Sequence, residues 1–298
     1  MAILRLLHRD MLMLVSPLLD WRVELVPQAP SMASDGLPAR ETGPWVNEKK
    51  YYLERYLTIS TKGVGPKWNG KLAYVDLFSG PGRSIIRGSG EEVDGSPLVA
   101  LTCSFASYVF VDTTEVLATL KQRLRNHPRF LSITFIPGDC NEVIEKVRAA
   151  LPPDHLTLAF VDPTGLQIHF STIQRLVTGR SVDLLMTIQF GMGILMNLHQ
   201  YSRSDGETLT AFLGDDSWRA DVKAGATPSA IGHRILDRYL NQLRKLGYDT
   251  VADREIPIRN DQNLLLYFMV LASRHPRGHD FWKKATEIAP SGQRKLGL

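Results

Sequence analysis

From Lys71 onward, short runs of continuous apolar side chains alternate with stretches in which apolar residues recur every three or four positions. "KLAYVDLF", "YVFVD", "ITFIPGD", "LTLAFVDP" and "VDLLMTIQ" read as strands. "TEVLATLKQRLRNH", "NEVIEKVRAAL" and "FSTIQRLV" read as the helices between them. Strands that are apolar on both faces and separated by helices belong to a mostly parallel sheet covered on both sides, so the pattern predicts a doubly wound α/β fold. Ahead of the first strand, "WVNEKKYYLERYL" places Trp45, Tyr52, Leu53 and Tyr56 on one helical face. A long helix is expected over Pro228–Leu246, with Ile231, Ile235, Tyr239 and Leu243 inward. "VADREIPI" and "LLLYFMVLAS", joined only by "RNDQN", predict a closing antiparallel hairpin.

The rhythm breaks twice. Residues 191–226 carry "GMGILMNLHQYSRSDGETLTAFLGDDSW" where a plain return to the sheet would suffice, and this insertion reads equally as a lid or as extra core packing. Residues 1–43 read as an extension and linker, because "PQAPSMASDGLPARETGP" is rich in Pro, Ser and Gly; the compact domain is expected over 44–298. Arg9, Asp10, Asp20 and Arg22 interrupt the apolar start, which falls short of the ~20 residues that span a bilayer.

With 298 residues and 44% apolar content, the chain can bury a substantial core. Cys103 and Cys140 stand far apart, without a CxxC or Cys/His spacing. That argues against a disulfide framework and a structural zinc, and favours a reduced, cytoplasmic setting. His275 and His279 have i, i+4 spacing, but Pro276 and Gly278 argue against a helix there, so no metal site is expected. A net charge of +4 leaves a polyanionic partner open. In "ASRHPRGHDFWKK", basic residues are mixed with Phe281 and Trp282: either a nucleic-acid surface or a solvated helix face with Trp282 turned inward.

Candidate chemistry collects at strand ends. "YVDLFSGPG" ends the first strand in Asp76 and turns through Ser79, Gly80 and Gly82, where missing Cβ atoms let the backbone approach a ligand. Asp112 ends the second strand, where a carboxylate can accept from ribose hydroxyls. Asp139, with Cys140 beside it, ends the third and is placed to meet an adenine amine. Asp162 and Pro163 end the fourth, beside the position of a transferred group. The glycine loop does not run directly into a helix, since "GPGRSIIRGSGEEVDGSP" intervenes before a helix beginning at Ser96. Such a loop positions a pyrophosphate poorly and suits S-adenosylmethionine. There is no GxxxxGK[ST] and no GxSxG, which disfavours phosphoryl transfer and α/β-hydrolase chemistry.

On these features the chain resembles class I methyltransferases, which implies a seven-stranded sheet of order 3-2-1-4-5-7-6. At a finer level "PWVNEKKYYLERYL", "YVDLFSGPG", "GSPLVAL", "AFVDPTGLQIHFSTIQRL", "VDLLMTIQFGMGILMN", "AFLGDDSW" and "LASRHPRGHDFWKK" resemble the three-Cys-motif partner protein (TcmP) family, over about 44–284. That family's name implies a partner with a three-cysteine motif, described as radical-SAM-like or phage-associated, and not a reaction. "DPTG" also resembles the DPFG and DPPY motifs of amino-methylating RNA and DNA methyltransferases. The resemblance implies that Asp162 and the Pro163 carbonyl orient an exocyclic amine; Thr164 departs from it by offering no ring, unless Phe190 supplies one. Two readings follow: a base-nitrogen methyltransferase acting on RNA or DNA, or a non-catalytic subunit of the same fold working with a three-Cys-motif partner.

Overall fold

The computed structural model describes residues 31–65, 67–203, 206–223, 227–249 and 255–293. The described part forms one compact unit, which begins at Ser31. Its centre is a seven-stranded sheet: β1 (Leu72–Asp76), β2 (Ser107–Asp112), β3 (Ile133–Pro137), β4 (Leu156–Val161), β5 (Val182–Ile188), β6 (Ile256–Arg259) and β7 (Leu265–Ala272). The spatial order is 3-2-1-4-5-7-6, as the resemblance to class I methyltransferases implied. β1 to β5 are mutually parallel, with Val75 beside Val109 on one side and Ala159 on the other. β7 runs antiparallel to β5, pairing Val270 with Met186.

Alternation along each strand feeds two cores. Ala73 and Val75 face α4 (Cys140–Ala150), α5 (Phe170–Val177) and α6 (Pro228–Lys245) through Val147, Ile173 and Tyr239. Leu72 and Tyr74 face α1 (Val46–Val64), α2 (Ser96–Leu101), α3 (Thr114–Leu124) and α7 (Pro276–Thr286) through Tyr56, Ala100, Leu120 and Trp282. Helix starts are fixed locally. Thr113, Asp139 and Thr227 cap α3, α4 and α6 by accepting from Val116 N, Asn141 N and Ala230 N. The apolar face expected around Tyr52, Leu53 and Tyr56 is buried, and the helix carrying it extends to Val64.

The structure corrects or completes five readings. Residues 31–43 are not a linker: Arg40–Thr42 forms a parallel strand against Arg83–Ile86, and Ala33 and Ala39 are buried. Residues 1–30 lie outside the described part. The excursion after the glycine loop is a hairpin, Arg83–Ile86 against Glu92–Asp94, which joins Arg40–Thr42 in a second, three-stranded sheet whose three- and four-residue strands are too short to signal in the sequence. Residues 276–286 are helical despite Pro276 and Gly278, because Pro276 occupies the first turn, where its missing N–H is no loss. The insertion packs on the core instead of lying open: Leu209, Phe212, Leu213 and Trp218 are buried, and Phe212 stacks on Tyr239 with ring centroids 4.4 Å apart. In the basic C-terminal segment, Trp282 turns inward against Tyr56, while Arg274, Arg277, Lys283 and Lys284 are exposed. Among the described residues no helix is long and apolar enough to cross a membrane.

Candidate functional site

The carboxyl ends of β1, β2 and β4 meet where the strand order reverses, the usual position of a ligand in an open α/β sheet. The loop after β1 is fastened at both ends. Ser79 donates from N and from Oγ to Val111 O, each at 3.0 Å, and Gly80 N donates to Asp112 Oδ2 at 2.8 Å. Thr113 N donates to the other Asp112 oxygen at 2.8 Å. Gly80 has φ +64°, and a Cβ there would meet nothing within 4 Å, so the backbone faces open space. Gly82 has φ +90°, and a Cβ there would come within 2.8 Å of Leu120 Cδ1. The far side is held by Arg123 of α3, which is almost wholly enclosed. It donates to Pro81 O and to Pro38 O, at 3.2 Å for the latter, and pairs with Asp35 at 2.6 Å. The guanidinium lowers the Asp35 pKa.

A cleft of about 610 Å³ opens in front of this loop, lined by Pro38, Arg40, Phe78, Gly80, Asp112, Glu115, Asp162 and Thr164 among others. A narrow inner crevice of about 50 Å³ continues from it past Lys49, Lys50, Ser79, Gly82 and Ser96. The structure thus brings Ser79, Gly80, Gly82, Asp112, Asp162 and Thr164 to one place. Three other predicted residues sit elsewhere. Asp76 is fully buried beneath the loop; it accepts from Phe78 N at 3.2 Å and Tyr74 Oη at 3.4 Å and lines neither space. Burial lifts its pKa to about 7 against a bond from Ser96, and Asp162 and Asp112 add to the rise. Asp139 serves as the cap of α4, accepting from Asn141 N at 2.8 Å, and lines neither space. Cys140 is packed in the core, where burial drives its thiol up to about 12. The acid-then-helix pattern at Asp139 is the ordinary signal of a cap, and here the cap is what it marks.

Asp162 is tightly engaged. Lys49 Nζ, from α1, forms an ion pair with Oδ2, and Thr187 Oγ1 donates to Oδ1 at 2.7 Å. Gln189 Nε2 donates to Pro163 O at 2.7 Å, and Thr164 Oγ1 accepts from Gln167 Nε2 at 2.8 Å. Phe190 is a core residue, 5.3 Å from Phe268 and 4.9 Å from the His233 ring, so it offers no free face. Tyr267 lies beneath Lys49, whose Nζ is 5.9 Å from the ring centroid. The Tyr267 hydroxyl is buried with no hydrogen-bond partner among the described residues, and burial and the nearby Asp162 charge raise its pKa. Lys49, Arg123, Thr187, Gln189 and Tyr267 escaped sequence reasoning. Gln189, in "TIQFG" at the end of β5, carried the one usable signal: a polar side chain closing an apolar run.

The sequence matches no protein-family model and no curated protein. Solved structures with a similar chain course include the O-methyltransferase TomG from Streptomyces achromogenes in complex with SAM, at 8% identity, covering 76% of this chain and 80% of that one, with a TM-score of 0.43. An O-methyltransferase from Bacillus cereus in complex with SAH is similar at 9% identity, over 80% of this chain and 85% of that one, with a TM-score of 0.46. Protein LPL1258 from Legionella pneumophila is similar at 11% identity, over 76% and 85%, with a TM-score of 0.47. The fold rests on this chain's own strand order and not on these likenesses.

Proposed function

We propose that the chain is an S-adenosylmethionine-dependent methyltransferase. The observation that carries this reading is the convergence of Gly80, Asp112 and Asp162, from three neighbouring strand ends, on one cleft at the reversal of strand order. The residues fit such a cofactor. A cleft of about 610 Å³ is of ligand size, and the Gly80 backbone faces space that no Cβ fills. Asp112 would accept from ribose hydroxyls with the lone pairs left by Gly80 N and Thr113 N, and Ser79, Gly80 and Gly82 would border the amino-acid end. When bound, the cofactor supplies an electrophilic methyl carbon on a sulfonium.

The remaining work is alignment, and holding a nucleophile in line can lower a barrier by several kcal/mol. Asp162 is the group that would orient the nucleophile or accept its proton, once a substrate displaces Lys49 from Oδ2. The target we favour is a nucleic-acid base nitrogen, read from Asp162 and Pro163 together with Arg40, Lys49 and Lys50 at the crevice, whose cations suit a phosphate backbone. With Thr164 ringless and Phe190 in the core, such a base would be held by hydrogen bonds and charge instead of stacking.

One observation favours a second reading. Both Asp162 oxygens and the Pro163 carbonyl are already engaged within the chain, which suits a non-catalytic subunit acting beside a three-Cys-motif, phage-associated partner.

Calorimetric titration with S-adenosylmethionine and S-adenosylhomocysteine tests the first reading. Saturable binding is expected, weakened at least about tenfold in Asp112→Ala. Asp162→Ala is expected to abolish transfer to RNA or DNA while leaving cofactor affinity within about threefold. Full activity of that variant removes Asp162 from its role. Absence of binding by the wild type, with co-purification of the three-Cys-motif protein, moves the assignment to the second reading.

A further inference from the structure

A second cavity, of about 550 Å³, lies at the opposite edge of the sheet, among the amino ends of β1, β4 and β5. Its walls are apolar and include Trp68, Leu158 and Phe281. At its inner end is Asp183, the second residue of β5 and the only acid among its described lining residues. Burial raises the pKa of this carboxyl to about 6, against a hydrogen bond from Ser273 and the charges of His279 and Arg274. Helix α7 comes close here because residue 278 is glycine. A Cβ at that position would overlap the Ser273 hydroxyl and sit 3.5 Å from Asp183 Oδ2, in the room now left beside the carboxylate.

The mouth of the cavity is cationic. Arg180 and Arg274 spend their donors on backbone carbonyls, such as Leu151 O and Leu246 O at 2.8 and 2.9 Å, and contribute a fixed positive field. Lys67 and Arg277 are exposed, and neither side chain makes a hydrogen bond or ion pair among the described residues. A ligand that used all of these features would combine an apolar body, donors for the inner carboxylate and an anion for the mouth. An organic cation would meet Asp183 but be repelled by the mouth. A fatty acid would satisfy the mouth but bury Asp183 against methylenes, which costs desolvation without a compensating bond. Adenine offers one donor beside one acceptor on its pairing edge, and a carboxylate can use only the donor. Guanine offers two adjacent N–H donors, which match the two oxygens of one carboxylate.

The geometry points to a guanine-nucleotide site in this cavity, with the base between the apolar walls, its N–H edge on Asp183 and its phosphate at Lys67 and Arg277. The volume lies within the range of small-ligand sites. The site is separate from the cleft at the carboxyl edge and does not depend on the methyltransferase reading.

Equilibrium dialysis of the full chain against GMP, guanosine, AMP and dodecanoate tests it. GMP is expected to bind saturably, with AMP and guanosine each at least about tenfold weaker. Exchanging Lys67 and Arg277 together for Ala should bring GMP down to the affinity of guanosine while leaving guanosine unchanged. These side chains are exposed, so folding is not at stake. Asp183→Asn, checked for an intact melting transition, should erase the preference for GMP over AMP. An excess of S-adenosylhomocysteine should not displace GMP. The proposal is overturned by absent GMP binding, by equal binding of AMP, by displacement with S-adenosylhomocysteine, by indifference to the Lys67 and Arg277 exchanges, or by dodecanoate binding in place of GMP.

Discussion

Two buried polar groups set the behaviour of single residues here. The Tyr267 hydroxyl is desolvated without a partner among the described residues, so it costs the folded state free energy. Tyr267→Phe is expected to raise stability by about 1 kcal/mol, read from the urea midpoint; a loss of that size would mean the hydroxyl has a bonding role in the fold. Asp76 is the other. Its ordinary value is 3.8 and its folded value about 7, so between those limits the unfolded chain binds fewer protons than the folded one. Stability due to this group is therefore present at low pH and lost as the pH rises from about 4 to about 7. Asp183, raised to about 6, adds a similar slope. Asp76→Asn keeps an acceptor for Phe78 N and removes one of the two contributions. Relative to the wild type it should gain about 2 kcal/mol between roughly pH 5 and pH 8. An unchanged difference across that range would show that Asp76 ionises as readily in the fold as out of it.

At the scale of elements, the loop from Leu77 to Gly82 depends on one backbone conformation. Gly82 combines φ +90° with a Cβ position 2.8 Å from Leu120 Cδ1, so Gly82→Ala carries both torsional strain and overlap with α3. A destabilisation of about 2–4 kcal/mol is expected, with a matching loss of cofactor binding. Gly80→Ala, where space is open, should strain the backbone without the overlap and cost about half as much. Thermal melts and calorimetry on the pair separate the two effects. Much of the fold was legible in the sequence: Val, Ile, Leu and Phe runs ending in an acid marked the parallel strands, and the resemblance to class I methyltransferases implied their order. What was not legible is instructive. Lys49 reaches Asp162 across 113 positions and Arg123 reaches Asp35 across 88, and a lone cation on a helix gives no local sign of its distant partner. Asp139 and Cys140 line neither space, and each has a sufficient local explanation, the acid before a helix as a cap and the small thiol as core.

For the molecule as a whole, the decisive difference from the sequence is where the folded unit begins. Composition placed the boundary at about residue 44, because Pro, Gly and Ser read as linker whether or not they are packed. In the fold, Arg40–Thr42 completes the smaller sheet by pairing with Arg83–Ile86. Ser34 donates from N to Glu92 at 2.7 Å, and Pro38, Ala39 and Arg40 form one wall of the cleft. Asp35 and Pro38 are also what Arg123 holds while it fastens Pro81. Removing residues 1–43 would take away that wall, leave the edge of Arg83–Ile86 unpaired and strip the buried guanidinium of its carboxylate. A chain beginning at Pro44 should keep the seven-stranded sheet, whose core contacts lie beyond this segment. It should lose about 2–4 kcal/mol of stability and at least about tenfold in affinity for S-adenosylmethionine. A chain beginning at Ser31 keeps that wall, the strand pairing and the carboxylate, and should bind S-adenosylmethionine at least about tenfold more tightly than the chain from Pro44. Circular dichroism melts and calorimetry on the two truncations decide the matter: equal cofactor affinity from Ser31 and from Pro44 would show that the N-terminal strand only covers the cleft and takes no part in binding.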